Sequence, residues 1–162
     1  MEKFKYNNFI DLYGEEFPAI KECPIPNGIR ALSQCLSKLK YDNIYCYLET
    51  NGIKISDINA EDDGFQFCKL FTHLNVSPPL DINIIWDIKD NYMDSIPLTV
   101  FCQYFDDIWY PGADDIILYN QAYQYLIFIR HDGCIFVAKL MDVVAGYLSS
   151  NPTRCSCVAG NF

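Results

Sequence analysis

The sequence predicts an α+β fold in a single domain, with a mainly antiparallel sheet that includes a C-terminal three-stranded meander packed against two or three helices. Three observations predict this fold class. The chain has 162 residues, of which 51% are hydrophobic, so we expect a single hydrophobic core. Apolar residues recur at helical spacing in 28–39 and 96–108. Three apolar runs near the C-terminal end are joined by connections too short for crossovers, so they must be antiparallel neighbours.

The first third of the chain predicts a helix between extended segments. Residues 3–13 suit a short helix or an irregular packed arm, and three prolines after them favour an extended connection. A helix then follows Asn27, because its apolar positions fall at steps of three and four. The sequence predicts a strand over 44–48, a turn at Asn51-Gly52 and a short return strand over 53–55. Together these would form a hairpin.

In the middle of the chain, residues 65–74 are ambiguous between helix and strand, and 82–88 predict a strand from their β-branched and aromatic content. Ser95 can cap a helix with Pro97 in its first turn. The meander strands are 116–119, 125–129 and 134–140, with Asp132-Gly133 as a tight turn. Residues 142–149 predict a closing helix. We expect 1–162 to form one domain, and the sequence leaves open whether 155–162 is an ordered end or a flexible tail.

The charge balance favours a basic partner. Twelve Lys and Arg against 21 Asp and Glu give a formal charge of −9, which disfavours binding to nucleic acid and to anionic membrane surfaces. No apolar signal core and no stretch of about 20 apolar residues occurs, so we expect a cytoplasmic protein. The eight cysteines lack any Cys-x-x-Cys, and in a reducing compartment they read as small buried hydrophobes.

One segment concentrates the negative charge. Residues 90–129 contain six aspartates and no lysine or arginine, and four of the aspartates flank an aromatic turn. Carboxylates around large flat side chains are typical of a surface that binds a basic protein. We therefore predict a partner-binding surface with outward-facing aromatic anchors, made of Asp106, Asp107, Trp109, Tyr110, Asp114 and Asp115. The same residues also fit a structural interpretation, in which Trp109 is core and Asp114 caps its own turn.

Motifs for catalysis, metals and cofactors are missing from the sequence. No Gly-rich phosphate loop, G-x-S-x-G or H-E-x-x-H occurs, and neither the acidic clusters nor Cys155-x-Cys157 has the ligand spacing of a metal site. We expect a non-enzyme without cofactor or metal. An enzyme of unrecognised type is a second hypothesis, with a pocket built from Asp114, Tyr119, His131 or Cys134. A homo-oligomeric module is a third, since the sequence leaves the oligomeric state open.

Two motifs resemble a family pattern. Trp109-Tyr110-Pro111 followed by Asp114-Asp115, and His131-Asp132-Gly133 at the hairpin, resemble small bacterial cytosolic proteins that include immunity proteins of contact-dependent and other polymorphic toxin systems. The resemblance covers about forty-five residues, 96–140, and has no counterpart in the N-terminal half. It implies an inhibitor that covers the active site of a basic partner such as a nuclease-like toxin domain, and it transfers no catalytic residue.

Overall fold

The computed structural model describes residues 1–18, 20–36, 43–86, 92–121 and 124–140. The predicted closing helix at 142–149 and the predicted tail at 155–162 lie outside these residues. Within the described ranges, seven strands form one sheet: β1 Lys21–Pro24, β2 Ile53–Asn59, β3 Asp81–Ile85, β4 Tyr92–Pro97, β5 Ile116–Asn120, β6 Tyr125–Ile129 and β7 Cys134–Lys139. Their order is β1-β4-β3-β5-β6-β7-β2. Every neighbouring pair is antiparallel.

Six helices accompany the sheet in the same described part of the chain: α1 Lys3–Tyr13, α2 Asn27–Leu36, α3 Ile44–Asn51, α4 Cys68–His73, α5 Leu98–Gln103 and α6 Phe105–Ile108. None of them is both long and apolar enough to cross a membrane. The predicted α+β class is confirmed.

The meander is confirmed as β5, β6 and β7, which are consecutive in both sequence and space. The turn between β6 and β7 uses Asp132 and Gly133 as expected. Gly133 has φ +73°, and a Cβ at this position would lie 1.8 Å from the side-chain oxygen of Asn59. Glycine is therefore required both by the left-handed backbone and by the close approach of β2.

Both faces of the sheet are covered, because successive residues of the central strands point to opposite sides. In β5, Ile116 and Leu118 join the core on the side of α1, α4, α5 and α6. Ile117 and Tyr119 join the core beneath α2 and α3. A strand that is buried on both faces has a continuous run of apolar residues. The sequences of the meander strands therefore show little alternation of apolar and polar residues.

Two element predictions are wrong. Residues 44–48 are helical rather than extended, because the side-chain oxygen of Asn43 accepts a hydrogen bond of 2.9 Å from the backbone N–H of Cys46 and so caps α3. The hairpin expected between 44–48 and 53–55 is therefore absent, and β2 pairs with β7 instead.

The helix predicted over 96–108 begins later and is divided. Ser95 does not cap it, since this residue pairs within the sheet with Lys21 and Asn83. The helix starts at Leu98, after the strand ends at Pro97, and Tyr104 separates α5 from α6. The ambiguous segment 65–74 contains α4, and the N-terminal segment is the helix α1.

Candidate functional site

Trp109 lies inside the protein. It follows α6 directly, and only 2% of its surface is exposed. Its ring stacks on Phe105 with the centroids 5.6 Å apart, and its Nε1 donates a hydrogen bond of 2.9 Å to the carbonyl oxygen of Asp114. A buried indole whose N–H is satisfied is a core side chain. The prediction that Trp109 is an exposed anchor is therefore wrong, and the structural interpretation of this residue is correct.

Asp114 stabilises the turn that follows Trp109. Its carboxylate accepts a hydrogen bond of 2.7 Å from the backbone N–H of Tyr110, which closes the turn as the structural interpretation proposed. The same carboxylate oxygen pairs with the ammonium of Lys5. With 14% of its side chain exposed and a cation beside it, Asp114 offers little charge to a partner.

Lys5 is a buried cation that joins α1 to the turn. It is fully buried, and besides Asp114 its Nζ donates a hydrogen bond of 2.6 Å to the carbonyl oxygen of Ile108. The ring centroids of Tyr110 and Trp86 lie 4.8 and 5.0 Å from Nζ, close enough for cation–π attraction. Sequence reasoning missed this role. The available signal was the spacing of Lys5 and Phe9, since residues four apart on a helix share one face.

Asp115 ties the turn to the β6–β7 hairpin. Its Oδ1 accepts a hydrogen bond of 2.8 Å from the backbone N–H of His131 and lies 3.0 Å from the Nδ1 of the same residue. Nearby, the backbone N–H of Gly112 donates a hydrogen bond of 2.7 Å to the carbonyl oxygen of His131. The carboxylate itself remains 40% exposed. Asp115 therefore combines a structural contact with an accessible charge.

Asp106 is exposed and Asp107 is half-buried, and both lie next to α1. Asp107 accepts a hydrogen bond of 3.0 Å from the hydroxyl of Tyr13. Within the described residues the side chain of Asp106 makes no hydrogen bond or ion pair, and neither aspartate is paired with a lysine or arginine. The hydrogen bond to Asp107, together with partial burial and the charge of Asp106, raises the pKa of Tyr13. Both carboxylates are thus available to an external cation.

A second aromatic contact crosses from α1 to the turn. The rings of Phe4 and Tyr110 lie 6.2 Å apart between centroids, and Phe4 is 48% exposed. Tyr13, at the other end of α1, is 46% exposed. We call this surface the α1–α6 seam and define it by Phe4, Tyr13, Asp106, Asp107 and Tyr110. Of the six predicted site residues, Asp106, Asp107 and Tyr110 belong to the seam.

Among the described residues, the four residues of the enzyme hypothesis do not line a common cleft. His131 lies at an open hairpin turn, with 52% of its side chain exposed. Tyr119 is buried in the core beneath α2 and α3, whereas Asp114 is held by Lys5 near α1. Two clefts of about 340 and 230 Å³ open elsewhere on the surface and are lined by other residues.

The described residues contain no group of three or more His, Cys, Asp or Glu that could hold a metal ion. Comparisons with models of protein families, with curated proteins and with solved structures find no match.

Proposed function

We propose that this protein is a non-catalytic binding protein whose α1–α6 seam docks onto a basic surface of a partner protein. The observation that carries the proposal is the combination of exposed aromatic rings with carboxylates that no lysine or arginine neutralises. The hydroxyl of Tyr13 donates a hydrogen bond to Asp107, and the charge of Asp106 acts on the same hydroxyl. Phe4 and Tyr110 provide apolar contact area at the other end of the seam. Aromatic anchors beside polar, charged residues are the anatomy of a protein interface.

The charge around the seam indicates the chemistry of the partner. Two segments that are distant in sequence, 6–20 and 90–129, contribute acids and contain no lysine or arginine. Asp11, Glu15 and Glu16, at the end of α1, are exposed. With a formal net charge of −9, the protein attracts a cationic surface and accelerates the encounter with it.

We further propose that the partner is a nuclease-like toxin domain and that binding inhibits it. Such a domain needs a basic substrate surface because nucleic acid is polyanionic. Carboxylates that occupy this surface would exclude phosphate groups from it. The resemblance of residues 96–140 to immunity proteins supports the same kind of partner, and the seam includes residues of that segment.

The partner is first captured in living cells of the source organism. A photo-crosslinking benzophenone side chain replaces Tyr13 in one variant and Leu80, which is 90% exposed outside the seam, in the control. We expect a basic protein to be linked through position 13 and not through position 80. The absence of any link at position 13, or an equal link at both positions, would contradict the proposal.

Affinity is then measured by calorimetry with the purified partner and two matched variants. Asp106→Lys/Asp107→Lys changes the seam, and Asp62→Lys/Asp63→Lys changes an exposed pair outside it. Each variant raises the net charge of −9 by four, two for each substitution. We expect the seam variant to weaken binding by about tenfold or more at low salt, with a smaller effect at high salt. Equal effects from the two pairs would show that only overall charge matters.

Inhibition needs its own assay. The nuclease activity of the captured partner is followed while wild-type protein is added. We expect activity to fall in proportion to the complex formed, and the seam variant to inhibit only at higher concentration. A partner that binds and keeps full activity would exclude the inhibitor function and leave the binding function standing.

A further inference from the structure

Two cysteines from distant parts of the chain meet at the surface. The Sγ atoms of Cys68 and Cys102 are 2.7 Å apart, and the two residues are 34 positions apart in sequence. Cys68 is exposed and Cys102 half-buried, and both are free thiols. The expectation that the cysteines are small buried hydrophobes is wrong for Cys23, Cys46, Cys68, Cys102 and Cys134, since none of these five is fully buried and Cys68 is the most exposed. A disulfide bond is about 2.05 Å long, so only a small approach separates these sulfur atoms from bonding distance.

Packing of the neighbouring aromatic residues brings the two thiols together. Each cysteine follows a phenylalanine, Phe67 before α4 and Phe101 within α5, and both phenylalanines are buried. Their rings pack edge to face with centroids 4.7 Å apart. This contact aligns the two Phe-Cys dipeptides and places their second residues side by side. The proximity of the thiols thus follows from the core rather than from a mobile loop.

We propose that Cys68 and Cys102 form a reversible disulfide that links α4 to α5 and acts as a thiol–disulfide redox site. The reaction partner is a small disulfide oxidant such as glutathione disulfide. The other described cysteines, Cys23, Cys46 and Cys134, have no thiol neighbour at hydrogen-bonding distance within the described residues. Among these five cysteines, Cys68 and Cys102 are therefore the pair placed to react with each other. This inference does not depend on the proposed binding function.

Exposure decides which thiol reacts first. Burial, followed by the contact with the Cys68 thiol, raises the pKa of Cys102 to about 12, and the thiolate is the reactive form. Cys68 therefore loses its proton to solvent, and its thiolate attacks the oxidant. A bond forms between its Sγ and one glutathione sulfur while the glutathione disulfide bond breaks, and the first glutathione leaves as a thiolate.

The second step closes the link. Cys102 loses its proton to solvent, and its thiolate attacks the Sγ of Cys68. The second glutathione leaves, and both glutathione thiolates take up protons. Overall, two cysteine thiols are oxidised to one disulfide, and one glutathione disulfide is reduced to two thiols. Reduction reverses these steps, beginning with the attack of an external thiol on the exposed Cys68.

The test uses the full chain in buffers of varied reduced and oxidised glutathione, with free thiols then alkylated and the protein digested with trypsin. Cys68 is the only cysteine of peptide 55–69 and Cys102 the only cysteine of peptide 90–130, so mass spectrometry identifies their link directly. We expect these two peptides to become joined as the buffer is made more oxidising. We also expect the joined form to melt roughly 10 °C higher, since the link closes a loop of about 35 residues.

Three results would overturn the proposal. Full alkylation of both cysteines in the most oxidising buffer would show that they do not react. Glutathione that stays on Cys68 would show that the second step does not occur. A link from either cysteine to another cysteine of the chain would show that the pair is not specific. Cys68→Ser and Cys102→Ser serve as controls, and each is expected to abolish the joined peptides and the rise in melting temperature.

Discussion

At the scale of single residues, the same side chains can serve a surface or a core, and sequence alone does not decide between them. Trp109 and Asp114 fitted both interpretations because a turn after a helix can face either way. The deciding residue, Lys5, is more than a hundred positions away in sequence. No local pattern around Trp109 contains this information. By contrast, Asp106 is exposed and Asp107 half-buried, since both lie off the apolar stripe of their helix.

The first prediction concerns the buried pair of Lys5 and Asp114. Lys5→Met keeps the length and apolar stem of the side chain but leaves the Asp114 carboxylate without its cation. We expect the free energy of unfolding to fall by about 3 kcal/mol, because removal of one partner strands the other charge in a poorly solvated place. Urea denaturation measures the loss.

Two further variants separate the ion pair from the packing of α1. Lys3→Met, an exposed lysine of the same helix, should change stability by less than about 0.5 kcal/mol. Lys5→Met combined with Asp114→Asn should be less destabilising than the sum of the single changes, since the stranded charge is removed. Strict additivity would show that the Lys5 ammonium stabilises the protein through its other contacts, such as the hydrogen bond to Ile108, rather than through Asp114.

At the scale of elements, the strands of the meander could be predicted, while α3 could not. The meander depends on turn chemistry and short connections, which are local. Residues 44–48 have β-branched and aromatic side chains, and their intrinsic preference is for a strand. The cap at Asn43 and the burial of Ile44 and Leu48 against the sheet outweigh that preference. Tertiary packing of this kind is invisible in a window of five residues.

The second prediction tests the cap of α3. Asn43→Ala removes the side-chain acceptor for the N–H of Cys46 and should lower the free energy of unfolding by about 1 kcal/mol. The matched control is Asn8→Ala, an exposed position inside α1, where alanine is the better helix former and stability should be unchanged or slightly higher. Both are measured by chemical denaturation. Equal effects at the two positions would mean that the Asn43 side chain contributes no specific cap.

At the scale of the whole molecule, fold class was predictable because it depends on length, apolar content and the succession of helical and extended patterns. The strand order was not. The edge strands β1 and β2 are short or irregular, and the sequence does not reveal that β2 joins the far side of the meander. That long-range pairing places α3 beside β7 and brings Glu49 of α3 to Arg130, which precedes the β6–β7 turn.

Arg130 connects the hairpin to α3 and links stability to pH. Its guanidinium donates hydrogen bonds to both carboxylate oxygens of Asp132 and a hydrogen bond of 2.9 Å to Glu49. The bonds from Arg130 hold the pKa of Asp132 well below its ordinary value of 3.8. A carboxyl group with a lowered pKa in the folded state stabilises the protein above the pKa of the unfolded state. This contribution is lost as the pH falls from the unfolded pKa through the folded one.

The third prediction concerns the loss of this stabilisation by Asp132 at low pH. Above pH 5, Asp132→Asn should lower the free energy of unfolding by less than about 1 kcal/mol, because the ion pair is partly exposed to solvent. As the pH falls below about 4, the wild type should lose this advantage, and the free energies of unfolding of the wild type and of Asp132→Asn should converge. Urea denaturation at half-unit intervals from pH 7 to pH 2 measures the difference.

Asp63→Asn, at an exposed aspartate without an ion pair among the described residues, should run parallel to the wild type throughout. A constant gap between the wild type and Asp132→Asn at all pH values would mean that Asp132 stabilises the hairpin through its shape and neutral hydrogen bonds rather than through its charge.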